Sequence, residues 1–453
     1  MNDIRGPVHL VGIGGMHMSA IGQLLLERGV AVSGSDLRPS SLTARLEGLG
    51  ATVHEGHAAA NVGGAALVVT TAAAGDENPE IAEARRRGIP VLLRAEMVER
   101  LMEGKRVIAV AGSHGKTTTS SLIAFILERA GRAPMYLLGG ESLDLGGNAA
   151  WGEGDLCVVE ADEYRRAFHE YSPHIAVITN VEADHLDYFG TPEAYDEAFR
   201  VFAGRVQEDG LLLVCGGDAG AMRAAAGASA PVETYGLNPR ENWHAGNPQI
   251  TGESASFEVV RQGDRLGSLR ANVPAEHVIL NTLAAAAVCL HLGVEFSALG
   301  DAVSRFRGAR RRFEMVGEAG GVLVMDDYAH HPTEVRATLA AARRRFGGRR
   351  LIGVYQPHTY SRIAYLWEEW ASCWGGLDAL VVLETYAARE VPEAGRSAAD
   401  LARAISQPSA TYAKDFATAA RMAVDLATAG DVVFTIGAGD VVEVGPMVLE
   451  LLR

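Results

Sequence analysis

A glycine-rich turn in the first third of the chain carries the residue types that bind phosphate groups. The apolar residues 107–111 predict a buried strand, and a helix is predicted from Lys116 to about Ala130. Backbone N–H groups at such a helix start form an anion site, and glycines let phosphate oxygens approach closely. The residues predicted to bind ATP are Gly112, Ser113, His114, Gly115, Lys116, Thr117 and Thr118.

Two side chains of this turn have distinct predicted roles. Lys116 would reach the outer phosphates, and the Thr117 hydroxyl would hold Mg²⁺. Val110 stands where the general P-loop pattern has a glycine, so the loop is a shortened form, Gly-x-x-Gly-Lys-Thr. The alternative interpretation is a glycine-rich strand-to-helix turn that binds nothing.

Acidic residues and a histidine follow two further predicted strands. Glu160 ends the apolar strand at 155–160, and Asp184 and His185 follow the strand at 174–180. Ligands bind beyond the carboxyl ends of parallel strands, so these side chains should lie beside the phosphate loop and hold Mg²⁺. Glu160 could instead be a solvated strand end, and histidine is an uncommon Mg²⁺ ligand. The predicted metal ligands are Thr117, Glu160 and His185.

A second glycine-rich turn follows the first predicted strand. With a helix over 16–28 and a strand over 30–35 it forms a βαβ unit, and an acidic residue lies about 20 positions after the turn. His17 stands where the dinucleotide fingerprint has a glycine, which weakens an NAD interpretation. A nucleotide could still bind here, or the glycines could be purely structural. The candidate substrate-binding residues of this unit are Gly12, Gly14, Gly15, His17 and Asp36.

In the last third of the chain, two polar loops follow successive predicted strands. The loops at 327–331 and 358–362 follow strands at 322–325 and 351–355 and should emerge at one edge of a sheet. His330, His358 and Arg362 could therefore converge on an acidic substrate. Each histidine taken alone could also be an ordinary core residue.

Two other polar groups have two possible interpretations each. His277 and Asn281 lie four residues apart on one face of an alanine-rich helix, as satisfied core residues or as adenine contacts. The basic residues within 305–312 lie at a predicted domain boundary. They could form a solvated face, or they could reach the phosphates when the domains close.

Composition limits the class of protein. A chain of 453 residues is expected to form two or three domains. The net charge of −15 argues against a nucleic-acid partner held by a basic surface. Buried free thiols are predicted at Cys157 and Cys289, and no segment reaches a membrane-spanning length, so we expect a cytoplasmic protein without membrane insertion. Alternating strands and helices predict an α/β fold, with antiparallel ribbons over 232–273.

Six motifs, in this order and spacing, resemble the signature set of the Mur ligase family. They are Gly-Ser-His-Gly-Lys-Thr-Thr (112–118), Glu-Ala-Asp-Glu (160–163), Thr-Asn-Val-Glu-Ala-Asp-His (179–185), Arg-Arg-Phe-Glu (311–314), Asp-Tyr-Ala-His-His-Pro (327–332) and Gln-Pro-His-Thr-Tyr-Ser-Arg (356–362). The resemblance implies an N-terminal Rossmann-like domain for a UDP-sugar (1–104), a central P-loop ATPase domain (105–312) and a C-terminal Rossmann-like domain that closes over ATP and brings the amino acid (313–453).

Within the family, the chain is most similar to members that add L-alanine to UDP-N-acetylmuramate. The residues that carry this similarity are 12–19, Asn78-Pro-Glu80 and the doubled histidine at 330–331. The resemblance implies an ATP- and Mg²⁺-dependent ligase in peptidoglycan precursor synthesis, acting through an acyl phosphate and releasing ADP, as a monomer or weak homodimer. A recycling ligase that adds a tripeptide is the main alternative. Further alternatives are a ligase that accepts glycine or serine in place of alanine, a nucleotide-binding regulator without catalysis, and a dehydrogenase.

The resemblance also implies residue roles. His277 and Asn281 would contact adenine, Arg312 the phosphates and Asp327 the ribose. Lys116 and two Mg²⁺ ions would neutralise the transferring phosphate, one ion held by Thr117 and Glu160 and the other by His185. The residues expected where the muramyl carboxylate meets alanine are Tyr328, His330, His358 and Arg362.

Three positions and one short segment depart from the pattern of relatives. His17 stands in place of a glycine, Val278 of an asparagine and Thr359 of an arginine. Residues 199–201 occupy the region where several relatives carry a carbamylated lysine, and no carbamate is expected here.

Overall fold

The computed structural model describes residues 4, 6–71, 74–388, 390 and 396–453. The chain forms three β-sheets of five, ten and six strands with flanking helices, which confirms the predicted three-domain α/β class. Within the described ranges, no helix is both long and apolar enough to cross a membrane. The four cysteines are buried and free, as expected for Cys157 and Cys289.

The N-terminal domain is built on a fully parallel five-stranded sheet. Its elements are β1 (Val8–Val11), α1 (Met16–Glu27), β2 (Val32–Asp36), α2 (Ser41–Gly48), β3 (Thr52–Glu55), a 3-10 turn (Ala59–Val62), β4 (Leu67–Thr70), α3 (Pro79–Arg86), β5 (Val91–Leu93) and α4 (Arg94–Met102). The strand order is β3-β2-β1-β4-β5, with the buried β1 at the centre. Neighbouring parallel strands end at one edge, so Asp36 comes beside the turn that follows β1. The elements α2 and β3 were not predicted, because α2 buries only Thr43 and Leu46.

The central domain has a ten-stranded mixed sheet. Its elements are β6 (Arg106–Ala111), α5 (Lys116–Arg129), β7 (Met135–Ser142), β8 (Gly147–Ala150), β9 (Leu156–Glu160), a 3-10 segment (Tyr164–Glu170), β10 (Ile175–Ile178), α6 (Leu186–Phe189), α7 (Pro192–Ala203), β11 (Leu211–Cys215), α8 (Ala219–Ala225), β12 (Val232–Gly236), β13 (Trp243–Ile250), β14 (Ala255–Arg261), β15 (Asp264–Ala271), α9 (Glu276–His291) and α10 (Phe296–Arg305). The order is β15-β14-β13-β12-β11-β10-β6-β9-β7-β8. The antiparallel ribbons predicted over 232–273 are present as β13, β14 and β15, but the prediction was wrong for β12, which pairs in parallel with β11 and β13. The phosphate-loop strand β6 lies between β10 and β9, so all three carboxyl ends meet.

The C-terminal domain has a six-stranded sheet that is parallel except at one edge. Its elements are β16 (Glu314–Ala319), β17 (Val322–Asp327), α11 (Pro332–Phe346), β18 (Leu351–Tyr355), α12 (Tyr360–Tyr365), α13 (Trp367–Ser372), β19 (Ala379–Leu383), α14 (Ala398–Ala404), β20 (Ala410–Ala413), α15 (Phe416–Leu426), β21 (Val432–Ile436), a 3-10 turn (Asp440–Glu443) and α16 (Val444–Leu451). The order is β16-β17-β21-β18-β19-β20, with β16 antiparallel. β21 separates β17 from β18, but all three run in parallel, so the loops after β17 and β18 share an edge as predicted.

The chain bends between α12 and α13. At Leu366 φ is −105° and ψ is 30°, so the segment forms two short helices and not one. The bend leaves Arg362 on α12 and places Trp370 of α13 against Tyr355, with ring centroids 4.9 Å apart. Apolar residues continue through the bend, so the sequence pattern did not show it.

Candidate active site

The phosphate loop is held in shape by side chains of the neighbouring strand end. Gly112 and Gly115 have φ of 140° and 82°, values that favour glycine. A Cβ on Gly115 would lie 2.7 Å from Asn281 Oδ1, so a larger residue would also clash there. The Thr179 hydroxyl donates to the His114 carbonyl at 2.6 Å, and the amide oxygen of Asn180 accepts from the His114 N–H at 2.8 Å. Side chains at the end of β10 therefore hold the loop in its shape.

Lys116 is folded back over the loop. Its Nζ donates to the Gly112 carbonyl at 2.5 Å and lies 2.9 Å from Glu163 Oε2. Burial alone lowers the pKa of Lys116, but attraction from Glu163 and Glu160 outweighs it and raises that pKa. Glu163 was quoted within a motif and received no predicted role. The ammonium is thus charged and paired with Glu163.

Glu160 and Thr117 form a compact oxygen-donor set at the start of α5. The Glu160 carboxylate is 7% exposed, accepts from the Gly139 N–H at 3.0 Å, and is hydrogen-bonded by Thr117. Burial raises the pKa of Glu160, although Lys116 and Thr117 act in the opposite direction. A buried carboxylate beside a threonine hydroxyl fits a hard divalent cation such as Mg²⁺.

The third predicted metal ligand, His185, lies at a left-handed backbone position with φ of 53°. Its Nε2 is 3.9 Å from Glu163 Oε1, and its ring packs against Tyr164 with centroids 4.9 Å apart. Glu163 therefore lies between Lys116 and His185. A cation near His185 would meet this carboxylate as well.

Seven of the eleven predicted nucleotide contacts line one cavity of about 620 Å³, whereas Gly112, Ser113, Lys116 and Thr117 are not among its lining residues. It is lined by His114, Gly115, Thr118, His277, Asn281, Arg312 and Asp327, together with the divergent Val278. Burial lowers the pKa of His277 to about 4, and burial raises that of Asp327 to about 6 despite Arg312. His277 is therefore a neutral group suited to hydrogen bonding with a base.

His114 connects the central and C-terminal domains. Its Nε2 is 2.8 Å from Glu182 Oε2, and its Nδ1 is 3.4 Å from Glu334 Oε1 on α11. Burial alone lowers the pKa of His114, but hydrogen bonds with Glu182 and Glu334 outweigh it and raise that pKa to about 9. His331 joins this group, and ligand atoms of His114, Glu182 and His331 lie within 4.8 Å of one another. Because both nitrogens of His114 face carboxylates, we interpret the group as an ionic contact.

Arg362, which we expect to bind a substrate carboxylate, forms a salt bridge with Asp184. Its Nε and Nη2 donate to Asp184 Oδ1 at 3.0 and 2.9 Å, and the pair is almost fully buried. Its Nη1 faces His358 Nδ1 at 3.1 Å. Only the Nη1 side remains for an incoming carboxylate unless Asp184 moves. A cavity of about 190 Å³, lined by both residues, opens beside the pair.

His330 and His358 do come together, with ring centroids 6.3 Å apart. Burial lowers the pKa of each to about 3, with Arg362 acting in the same direction on both. Tyr328 lies beside His330 at 5.3 Å, and the Arg312 guanidinium lies over its ring at 5.1 Å. The two histidines are therefore neutral near pH 7.

The basic run at 305–312 splits between its two possible roles. Arg305 and Arg310 have side chains 62% and 57% exposed and belong to a solvated face, whereas Arg307, 66% exposed, also lines the 620 Å³ cavity. Arg311 and Arg312 point inward, where Arg311 pairs with Asp326 and Arg312 with Glu334.

At the N-terminal turn, Asp36 is tied to the backbone. Its Oδ2 accepts from the Gly14 N–H at 2.9 Å. Gly15 and His17 line a separate cavity of about 340 Å³ that reaches the central domain. The structure therefore divides the predicted group: Gly14 and Asp36 shape the turn, and Gly15 and His17 face the cavity.

Sequence reasoning missed Glu163, Glu182 and Glu334 as partners of the site. Glu163 and Glu182 lie inside quoted motifs, and Glu334 follows the doubled histidine by three residues. The position of these charged residues inside or next to the motifs was the sequence feature that could have identified them as part of the site.

Family models cover most of the chain. Residues 7–106 match the model described as Mur ligase family, catalytic domain, residues 110–289 the Mur ligase middle domain, and residues 311–439 the Mur ligase, glutamate ligase domain.

Individual proteins show the same similarity. A UDP-N-acetylmuramate–L-alanine ligase of Roseiflexus castenholzii is 45% identical, over 98% of this chain and 97% of the relative. The crystal structure of a UDP-N-acetylmuramate-alanine ligase from Thermotoga maritima matches with a TM-score of 0.83 and 28% identity, over 99% of both chains. A murein peptide ligase from Psychrobacter arcticus has the same fold, with a TM-score of 0.74 and 24% identity over 99% and 98% of the chains.

Proposed function

The chain belongs to the Mur ligase family, and we propose that its three domains join L-alanine to the lactyl carboxylate of UDP-N-acetylmuramate with conversion of ATP to ADP. The observation that carries this is the 45% identity to a ligase of that name over nearly the full length of both chains. The reaction is an ADP-forming acid–amino-acid ligation, a step of peptidoglycan precursor synthesis. The proposed domain bounds are 1–104, 105–312 and 313–453.

In the first half-reaction the lactyl carboxylate attacks the γ-phosphate of ATP, giving an acyl phosphate and ADP. The two anions repel each other, so cations must neutralise the transferring group. Lys116 moves from Glu163 and the Gly112 carbonyl to the phosphates, and Arg312, the last residue of the proposed central domain, adds a second positive charge. Bound Mg²⁺, held by Thr117 and Glu160 and at a second position by His185, would supply further neutralisation.

The nucleotide is placed by the 620 Å³ cavity. The neutral His277 and the amide of Asn281 bind adenine, and Asp327 accepts from the ribose hydroxyls. Residues 112–118 supply the backbone N–H groups for the phosphates.

In the second half-reaction the neutral amine of L-alanine attacks the acyl carbon, the acyl C–O bond to phosphate breaks, and the proton lost by the nitrogen leaves with the phosphate. The Nδ1–H of neutral His330 donates to the Tyr328 carbonyl, so its Nε2 can accept a hydrogen bond from the amine. His358 Nδ1 accepts from Arg362, and Arg362 Nη1 can also bind a carboxylate beside Tyr328. Closure of the C-terminal domain, through the contacts Arg362–Asp184 and His114–Glu334, holds both reactants together and protects the acyl phosphate from water.

The alternative, a recycling ligase that adds a tripeptide, is not favoured. The 190 Å³ cavity beside Arg362 suits a single small amino acid better than a tripeptide. The murein peptide ligase from Psychrobacter arcticus is similar in fold at 24% identity, whereas the relative named as an L-alanine ligase is 45% identical over 98% of this chain.

The test measures phosphate release with UDP-N-acetylmuramate, ATP and Mg²⁺, offering L-alanine, glycine, L-serine or the tripeptide as acceptor. We expect L-alanine to give the highest kcat/KM. Turnover with the tripeptide and none with L-alanine would overturn the proposal.

Two other proposed properties have their own tests. Size-exclusion chromatography with light scattering on the same preparation tests whether the protein is a monomer or a weak homodimer. Fractionation of cells tests a cytoplasmic location.

A further inference from the structure

The 340 Å³ cavity lies between the N-terminal turn and the central domain. One wall is the start of α1, with Gly15, Met16 and His17. The opposite wall is the segment Tyr164–Glu170, which follows the metal-site strand β9. A ligand in this cavity would contact both domains at once.

The central-domain wall brings two unengaged cations. Arg165 and Arg166 are exposed, and in the described part of the chain neither has a carboxylate within ion-pair distance. Their guanidinium groups only lie near aromatic rings, Arg165 at 5.9 Å from Tyr164 and Arg166 at 6.0 Å from Phe189. Arg94, a third cation of the cavity, is instead paired with Asp162 at 2.7 Å.

The backbone holds these two arginines in an unusual conformation. Both are left-handed, with φ of 53° and 58°, which costs about 1–3 kcal/mol for each non-glycine residue. The Arg166 N–H donates to the Glu163 carbonyl at 2.8 Å, and the N–H of the fully buried Phe168 donates to the Asp162 carbonyl at 3.0 Å. The strained turn is thus fixed from both sides.

The N-terminal wall is suited to an anion. The twelve-residue helix α1 has no side chain capping Gly15 and no acidic residue in its first turn. The Nε2 of His17 is buried and, among the described residues, has no hydrogen-bond partner. Burial, followed by Arg94, lowers the pKa of His17 to about 3, so the imidazole is neutral and adds no competing charge to this wall.

We propose that Arg165 and Arg166 bind the diphosphate of the UDP-sugar from the central-domain side of this cavity, opposite the N-terminus of α1 and His17. The inference rests on the proposed function and adds residues to its substrate site. Two guanidinium groups match the two charges of a diphosphate, and arginine binds phosphate oxygens through paired donors. The substrate would then itself join the N-terminal and central domains.

The experiment is calorimetric titration with UDP, UDP-N-acetylglucosamine and UDP-N-acetylmuramate. The variant is the double substitution Arg165→Ala, Arg166→Ala, and the matched control is Arg240→Ala, which removes an exposed central-domain arginine outside the cavity. We expect the double variant to bind all three ligands about 10- to 100-fold more weakly, as for lost charge-assisted hydrogen bonds. The control should bind as the wild type does, and KM for ATP should stay unchanged in both.

Three results would overturn the assignment. Equal affinities of the double variant and the wild type would remove the arginines from the site. A loss confined to UDP-N-acetylmuramate would place them at its carboxylate and not at the diphosphate. A wild-type protein that binds none of the three ligands would overturn the proposed function as well. The substitution Arg165→Gly, Arg166→Gly relaxes the left-handed backbone and repeats the test if the alanine variant unfolds at a lower temperature.

Discussion

The two glycine-rich turns of the molecule have the same local design and different surroundings. Each follows a buried parallel strand and begins a helix, at residues 12–15 and 112–115. The phosphate loop carries its own cation, Lys116, and is braced by Thr179 and Asn180. The N-terminal turn has no cation of its own and is braced by one carboxylate, Asp36.

The difference concerns where the positive charge comes from. A turn that must transfer a phosphoryl group needs a cation fixed within reach of the reacting atoms. A turn that only holds a diphosphate can take its charge from a neighbouring domain, here from Arg165 and Arg166 as proposed. The same backbone motif can thus serve catalysis or binding, according to the side chains around it.

The largest expected effect is at the phosphate loop. Lys116→Ala should lower kcat for ADP release by about 10²–10³-fold, as for loss of one transition-state donor. Binding of UDP-N-acetylmuramate, measured by calorimetry, should change little. Normal ADP release by the variant would contradict the proposed mechanism.

The next effect concerns pH and the contact of the phosphate loop with the C-terminal domain. The pKa of His114 is raised from 6.5 to about 9, so its stabilising contribution is complete below pH 6.5 and is lost as pH rises through 9. The Tm of the wild type should therefore fall over this pH window more than the Tm of His114→Gln. Parallel curves for the two proteins would show that His114 does not hold the domains together.

A smaller effect is expected at the N-terminal turn. Asp36→Ala removes the acceptor of the Gly14 N–H and should weaken UDP-N-acetylmuramate binding by about 10-fold, since a hydrogen bond to a charged group contributes about 1.5–3 kcal/mol. KM for ATP is the control and should stay constant. A change confined to KM for ATP would contradict this prediction, because it would assign ATP and not the UDP-sugar to the N-terminal turn.

The smallest effect is expected at Asn281. Asn281→Ala should raise KM for ATP by about 5-fold, the size of one neutral hydrogen bond, with kcat for saturating ATP almost unchanged. The same assay with GTP in place of ATP shows whether the amide reads the base. An unchanged KM for ATP would show that Asn281 does not bind the nucleotide and only makes a structural contact with Gly115.

Much of the site could be predicted because its residues lie in short local patterns. The phosphate loop, Glu160 and the loops after β17 and β18 each follow an apolar strand, and parallel pairing brings strand ends to one edge. Partners on other elements could not be predicted in the same way. Glu163 holds Lys116, and Asp184 occupies Arg362, through approaches that depend on how the strands and domains pack.

The sequence by itself determined the α/β class, the three phosphate- or substrate-facing edges and the residue types that reach them, because strand and turn patterns are local. Only the tertiary structure decided how those residues are paired. It placed Asp184 on Arg362, Glu334 on His114 and Arg165 with Arg166 across from α1. The physical reason is that charge pairing and burial depend on distances between elements far apart in the chain, and those distances arise only when the three sheets pack together.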